Sequence, residues 1–439
     1  MGVIGYKLRF VRTILLVLNI VFMYGCTNMN NINTYFDNIT TSLSFEYQAP
    51  QVINSTKKTE HLSIEYNADI YIPSNIKPSI FQVFKRSFSS SDYLEIMDYF
   101  EPGGEWYAQD KRTTDELSRI LVWLQNQPNF RDEDCTVYLN NIKEAIANSD
   151  NTLPKKFIFE TIKSGDPFIA YCRNNDHYSA IKGQLGGNSF TYMRNADAVV
   201  LREGNLEQND PYKKFFIQYP DNTCSNAQAL ADEILAKFGM ENEYSLRLVE
   251  RAVGIINNFS IANGWSFLYT RHSSGLNSEY IDNYDIWENS EMPKLVSPWG
   301  QEYILVFIDA DGVFCFSVHG AGTQGKCIAE NVVLENFTLL TKKIEQQLDK
   351  QHTPIDPRIK DSSVIINRIE LCSALVSENS VNTGMMIPAW VVHYTLSYSL
   401  NGTVVEDNLY TFFNAIDGNY IEPRISIYEI KQLLKLLED

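Results

Sequence analysis

Tyr303-Ile304-Leu305-Val306-Phe307-Ile308-Asp309-Ala310-Asp311-Gly312 is an apolar run that enters an Asp-Gly turn, and the pattern returns at Tyr410-Thr411-Phe412-Phe413-Asn414-Ala415-Ile416-Asp417-Gly418. Runs of this length closed by Asp and Gly read as strands entering turns. Each copy follows an amphipathic helix. Before the first, Ser225 to Gln228 reads as a capping box, and Ala227, Leu230, Ala231, Ile234, Leu235 and Phe238 keep helical spacing until Gly239. A second helical stretch is predicted from Ser245 to Asn257, then strands at Trp265 to Arg271 and Glu302 to His319. Before the second copy, Leu334, Phe337, Thr341, Ile344 and Leu348 trace a helix. Strands follow at Val364 to Val376, Ala389 to Leu400 and Leu409 to Ile416, with Asn401-Gly402 as a hairpin turn. Helix followed by antiparallel strands is thus used twice, as an internal repeat.

Working back from the repeat, Leu62, Ile64, Tyr66, Ala68, Ile70 and Ile72 alternate as a strand stopped by Pro73, and a second strand runs from Ile80 to Lys85. A helix from Ser91 is broken at Pro102-Gly103-Gly104, and Thr113 with Glu116 forms a capping box for the next one. A helix at Thr136 to Ala147, strands at Lys156 to Ile162 and Pro167 to Cys172, and a hairpin from Tyr178 to Arg194 complete this part. The expected fold class is α+β, with antiparallel sheets each packed by helices. The expected division is an α+β N-terminal domain over 61–220 and two modules over 221–350 and 351–439, the last closing on a helix from Ser426.

The first 26 residues have the order of a bacterial lipoprotein signal: basic Lys7, Arg9 and Arg12, an apolar run from Thr13 to Tyr24, then Gly25-Cys26. That run is 12 residues long, whereas a membrane helix needs about 20. Cys26 is therefore the expected lipidation site, and residues 27–60, rich in Asn, Thr and Ser, the expected tether. The expected location is the extracytoplasmic face of a bacterial plasma membrane. Loss of the leader removes three basic and no acidic side chains, so the formal charge of −17 becomes −20. A body this acidic repels phosphate backbones, which excludes nucleic acid as a partner.

Six cysteines remain, Cys135, Cys172, Cys224, Cys315, Cys327 and Cys372, too scattered for a disulfide scaffold or a metal knuckle. Cys315 and Cys327 flank the Gly-rich turn at Gly320 to Gly325, where facing hairpin positions can bridge; buried free thiols are the competing reading. The same segment nearly matches a P-loop, but Cys327 replaces the magnesium-binding hydroxyl and a strand, not a helix, follows, so it reads as a flexible hairpin tip. No GxSxG and no HExxH occurs, and Cys172 with His177 is too weak a pairing to make a nucleophile and its base. Asp309 and Asp311 lack the later ligands of a calcium loop and read as turn formers. Trp390, Tyr394 and Tyr398 share one strand face, read as core, while Val391, His393 and Thr395 share the other. No cofactor, metal or catalytic residue is expected.

Pro388-Ala389-Trp390, followed by Asn414-Ala415-Ile416-Asp417-Gly418 and Ile421, resembles the closing strands of PepSY-like modules. Similar strands occur in the YycH and YycI type of extracytoplasmic regulators. A wider resemblance, carried by the lipid signal, the Asp69 to Pro73 strand, the Ser225 to Gly239 helix and this ending, is to a family of Gram-positive lipoproteins of unknown function. The resemblance implies tandem PepSY-like modules and a non-enzymatic role, binding or regulating an envelope protein or peptide. An extracytoplasmic hydrolase with a site assembled from distant residues, or a solute-binding lipoprotein, is the alternative expectation.

Overall fold

The computed structural model describes residues 47–421 apart from 75, 110, 127–135, 174–177, 207–209, 257–258, 279–298, 354–358, 378–381 and 401. The leader with Cys26 and the helix expected from Ser426 lie outside the described residues.

In chain order the elements begin with β1 (Val52–Lys58), β2 (Ser63–Tyr71), β3 (Ile80–Lys85), α1 (Ser90–Phe100), β4 (Glu105–Tyr107), α2 (Thr114–Gln125) and α3 (Thr136–Asn148). Next come β5 (Pro167–Arg173), β6 (Tyr178–Gln184), β7 (Phe190–Met193), β8 (Val199–Arg202) and α4 (Cys224–Lys237). They are followed by β9 (Tyr244–Ile256), β10 (Phe259–Ser273), β11 (Leu276–Asn277), β12 (Tyr303–Asp309), β13 (Gly312–His319) and β14 (Gly322–Ala329). The last are α5 (Phe337–Gln351), β15 (Ile359–Ser377), β16 (Thr383–Leu400) and β17 (Thr403–Asn414). The α+β class is therefore as expected, with strands predominating. One sheet runs β1-β2-β15-β16-β3-β14, with β17 also on β16; the other runs β4-β5-β6-β7-β13-β12-β10-β9-β8, with β11 on β10. Among the described strands pairing is antiparallel except between β2 and β15, and one isolated parallel bridge joins Ser278 to Ser373.

Local chemistry sets the helix ends. Thr113 caps α2 as expected: its backbone N–H donates to Glu116 Oε2 at 2.7 Å, and its hydroxyl accepts from the Glu116 N–H. For α4 the expected cap at Ser225 is displaced to Thr223, whose hydroxyl accepts from the Asn226 N–H at 3.3 Å. Ala227, Ala231, Ile234 and Leu235 form the buried face of the helix. Gly239, at φ +65°, ends the helix, and the Met240 N–H returns to Leu235 O.

Three expectations are corrected. The stretch from Ser245 to Asn257 is not a helix but β9, whose partners are β10 and β8. Its Leu and Ala spacing fits either period, and Val249, Val253, Ile255 and Ile256 prefer the pleated surface. Lys156 to Ile162 holds a single bridge to Tyr107 and a short 3-10 turn instead of a strand. Gly320 to Cys327 is no flexible tip: from Gly322 it is β14, paired with β3 in the sheet that β13 does not belong to.

Helices cover one face of each sheet. Phe337, Leu340, Ile344 and Leu348 of α5 are buried with Ile64, Val364, Ile366, Trp390, Val392 and Phe413, each contributing about 1.5–3 kcal/mol by burial. The Trp390 ring meets Phe337 edge-on at 5.5 Å, and Trp390 and Tyr394 are core as expected, whereas Tyr398, further along the strand, is only half-buried. In the other sheet α1 and α4 pack on Phe190, Phe267, Ile304 and Phe316. The α2–α3 pair packs with Phe259 at the β9–β10 end.

The two sheets are joined where the chain leaves β13. Gly320 has φ +57°, and a Cβ there would lie 2.4 Å from Gln301 O, so no other residue fits the crossing. Beside it, Arg271 and Glu302 are both buried. The guanidinium donates to Glu302 Oε2 at 2.9 Å and Oε1 at 2.8 Å, to Glu243 at 2.9 Å and to Gly322 O at 2.6 Å. Glu302 Oε1 also accepts from the Tyr244 hydroxyl and the Gly322 N–H. Burial alone would lower the Arg271 pKa; the neighbouring carboxylates outweigh it and push it well above its usual value. Strand pairing crosses the boundaries expected at 220 and 350, since β2 pairs with β15 and β7 with β13.

Candidate functional site

Alternation along β16 sends Trp390, Val392 and Tyr394 under α5 and leaves Val391, His393 and Thr395 on the face α5 does not cover. On β15 the same alternation places Ile369 and Leu371 in the core and Glu370 opposite, while an irregularity between Ile366 and Arg368 sets the register. Three cross-strand rows result. Thr395 faces Asn408 and is bonded to it and to Asn367, at 2.9 and 3.0 Å. Arg368 faces His393, which faces Tyr410. Glu370 faces Val391, which faces Phe412.

The charge lies in the middle row and at the start of the row beside it. Glu370, its side chain 4% exposed, is held by Arg368 at 2.6 Å and by Arg247, which crosses from β9 of the other sheet and approaches to 2.7 Å. Arg368 remains 46% exposed, with its guanidinium 5.7 Å from the Tyr71 ring centre. Burial, then the positive charges of Arg368 and Arg247, push the His393 pKa down from 6.5 to about 4, so its imidazole is neutral. The row offers the N–H donors of Arg368 and a neutral imidazole beside the exposed Tyr71 ring.

Sequence reasoning missed Arg247, Arg368 and Glu370. Arg247 lay in the stretch read as helix. A readable signal existed for the other two, because Arg368 and Glu370 sit at alternate positions of a strand whose other side is Ile369 and Leu371.

The residues singled out from sequence lie elsewhere. Cys26 lies outside the described residues, as do Cys135 and His177. Cys315 is buried in β13 among Phe307, Phe314 and Ala252, whereas Cys327 is exposed on β14 in the other sheet, and both are free thiols. The expected Cys315–Cys327 facing pair is thereby corrected, because β13 and β14 do not form a hairpin. Burial pushes the Cys315 and Cys172 thiols up to about 12. Asp309 forms the β12–β13 turn, accepting from the Asp311 N–H at 3.0 Å and pairing with Arg194. No group of three or more metal-ligating side chains occurs among the described residues.

A second polar constellation lies on the sheet face away from α4. Ser317 Oγ lies 2.7 Å from His319 Nε2 and 2.5 Å from Thr191 Oγ1, and His319 stacks on Tyr303 at 4.4 Å. Ser317 is 3% exposed and shares its hydroxyl between these partners. A nucleophile needs access and an oriented base.

No helix among the described residues is long and apolar enough to cross a membrane. No family model matches the chain, and no curated protein matches it. Among solved structures, the chain is similar to an uncharacterized protein from Eubacterium rectale, with 12% identity over 86% of this chain and 94% of that one, at a TM-score of 0.44.

Proposed function

We propose that this chain is an extracytoplasmic lipoprotein, acylated at Cys26, that acts without catalysis by binding an extended segment of an envelope protein. In this reading the helix-then-strands units beginning at α4 and α5 are PepSY-like modules, and the free edge of the α5 sheet at β17 is the recognition surface.

The observation that carries the reading is the outer edge of β17. Among the described residues no strand pairs with it between Thr403 and Leu409, while its inner edge is fully laddered to β16. Such an edge presents N–H and C=O groups to an added strand, which supplies affinity through main-chain bonds and selectivity through alternate side chains. Val404, 67% exposed, marks the opening of that edge.

A photo-crosslinking residue at position 404 in intact cells tests this. An envelope protein should be recovered there and not from Leu94 on α1, which is also open to solvent, at 56%. Equal capture at both positions, or none at 404, rejects edge docking. Palmitate incorporation that survives Cys26→Ala rejects the anchor.

The hydrolase alternative would rest on Ser317 and His319, whose 2.7 Å contact is the observation in its favour. A turnover assay on acyl and peptide substrates in which Ser317→Ala abolishes activity would replace the docking reading with that one.

A further inference from the structure

We propose that Arg368 and His393 form a binding site for a monovalent carboxylate attached to an apolar group. This goes beyond strand docking on β17 and stands whether or not a protein docks there.

The first support is charge. In a chain of formal charge −17, two guanidinium groups converge on the single buried carboxylate of Glu370, leaving one positive charge in surplus. The surplus lies on the exposed partner. Arg368 uses only Nη2 on Glu370, and its Nε and Nη1 donors have no partner among the described residues. A guanidinium with a free edge meets a planar carboxylate with two parallel N–H···O bonds.

The second support is His393. It lies directly across from Arg368, is only partly exposed, and its ring nitrogens have no hydrogen-bond partner among the described residues. The groups facing it are Arg368, Glu370 and Cys372 of β15, Arg247 of β9, Tyr410 of β17, and Asp69 and Tyr71 of β2 beyond Arg368. Asp69 is exposed and makes no ion pair with Arg368. An arriving anion offsets the two arginines, so the imidazole can take a proton and donate to it. Binding and protonation are thus linked, and affinity rises as pH falls.

The third support selects the ligand. Val391 and Phe412 in the next row are buried, whereas the Tyr71 ring, 49% exposed, lies 5.7 Å from the Arg368 guanidinium, so an accessible apolar group lies beside the donors. One surplus charge matches one negative charge, which favours a carboxylate over a dianionic phosphate.

The test uses the full chain with 13C-labelled histidine, titrated at constant ionic strength with sodium benzoate, benzamide and inorganic phosphate. Benzoate should shift the His393 signal, identified by its absence in His393→Gln. Affinity at pH 5 should exceed that at pH 7.5 by about tenfold, the equivalent of one added charge-assisted hydrogen bond. In His393→Gln that pH dependence should vanish, and in Arg368→Gln affinity should fall about tenfold or more. Arg368→Lys, which keeps charge but not the fork, should recover only part of it. The proposal is overturned if benzoate moves His61 and His272 as much as His393, or if Arg368→Gln binds normally with native circular dichroism. It is equally overturned if benzamide binds as well as benzoate, and a preference for phosphate refutes the carboxylate assignment.

Discussion

Arg271→Met removes the cation from the junction between the sheets, and its cost follows from what it strands. Glu302, its side chain 3% exposed, keeps the Tyr244 hydroxyl and the Gly322 N–H but loses its counter-charge and both Arg271 bonds. Orphaning a buried charge costs about 3–5 kcal/mol. Gly322 O also loses its 2.6 Å donor, worth about 1–3 kcal/mol when no water replaces it. Methionine recovers some packing, so a net loss of about 4 kcal/mol is expected. In Arg271→Met with Glu302→Leu no charge is left buried, and the pair should be about 1–3 kcal/mol more stable than Arg271→Met alone. Urea unfolding followed by tryptophan fluorescence measures both, through a lowered midpoint at unchanged slope. Hydrogen exchange at β14 should quicken in the single variant, because Gly322 begins that strand. An Arg271→Met protein within about 1 kcal/mol of the parent, or a double variant weaker than the single one, would refute the assignment of this pair as the clasp between sheets.

Two further outcomes are expected. His393 has a folded pKa of about 4 against 6.5 unfolded, so the unfolded chain binds more protons between those values. Its contribution, about 3 kcal/mol, is fully present above pH 6.5 and is lost as pH falls through 4. The stability difference between parent and His393→Gln should therefore shrink or invert across that window; a difference constant from pH 7.5 to 4 refutes the burial argument. Iodoacetamide followed by peptide mass spectrometry should modify Cys327 in the folded protein and Cys315 and Cys172 only after unfolding, whereas a peptide pair linked through Cys315 and Cys327 would contradict the sheet assignment.

The elements that could be read from sequence are those whose local rules and tertiary roles agree. Thr113 and Glu116 cap α2 with the bonds their spacing implies, and the run from Tyr303 enters its Asp-Gly turn as β12 and β13. Trp390 was legible as core because its strand alternates cleanly beneath a helical stripe. Ser245 to Ile256 failed because its apolar positions satisfy both periods and only pairing with β8 and β10 decides between them. Cys315 and Cys327 misled because symmetry about glycines implies a hairpin, whereas Gly320 turns the chain into the other sheet. The candidate site was least visible. Arg247 reaches Glu370 across 123 positions, and such an encounter leaves no mark on local spacing.

The parallel pairing of β2 with β15 joins Ile64 to Val364, 300 positions further along. A polypeptide emerging from its N-terminus during synthesis would hold β1 and β2 without this partner until nearly everything else had emerged. Exposed strands in that interval invite misassociation, and distant pairings are slow to form. Completion of the α5 sheet would thus be a late, single event, with one edge of β2 unsealed while it waits.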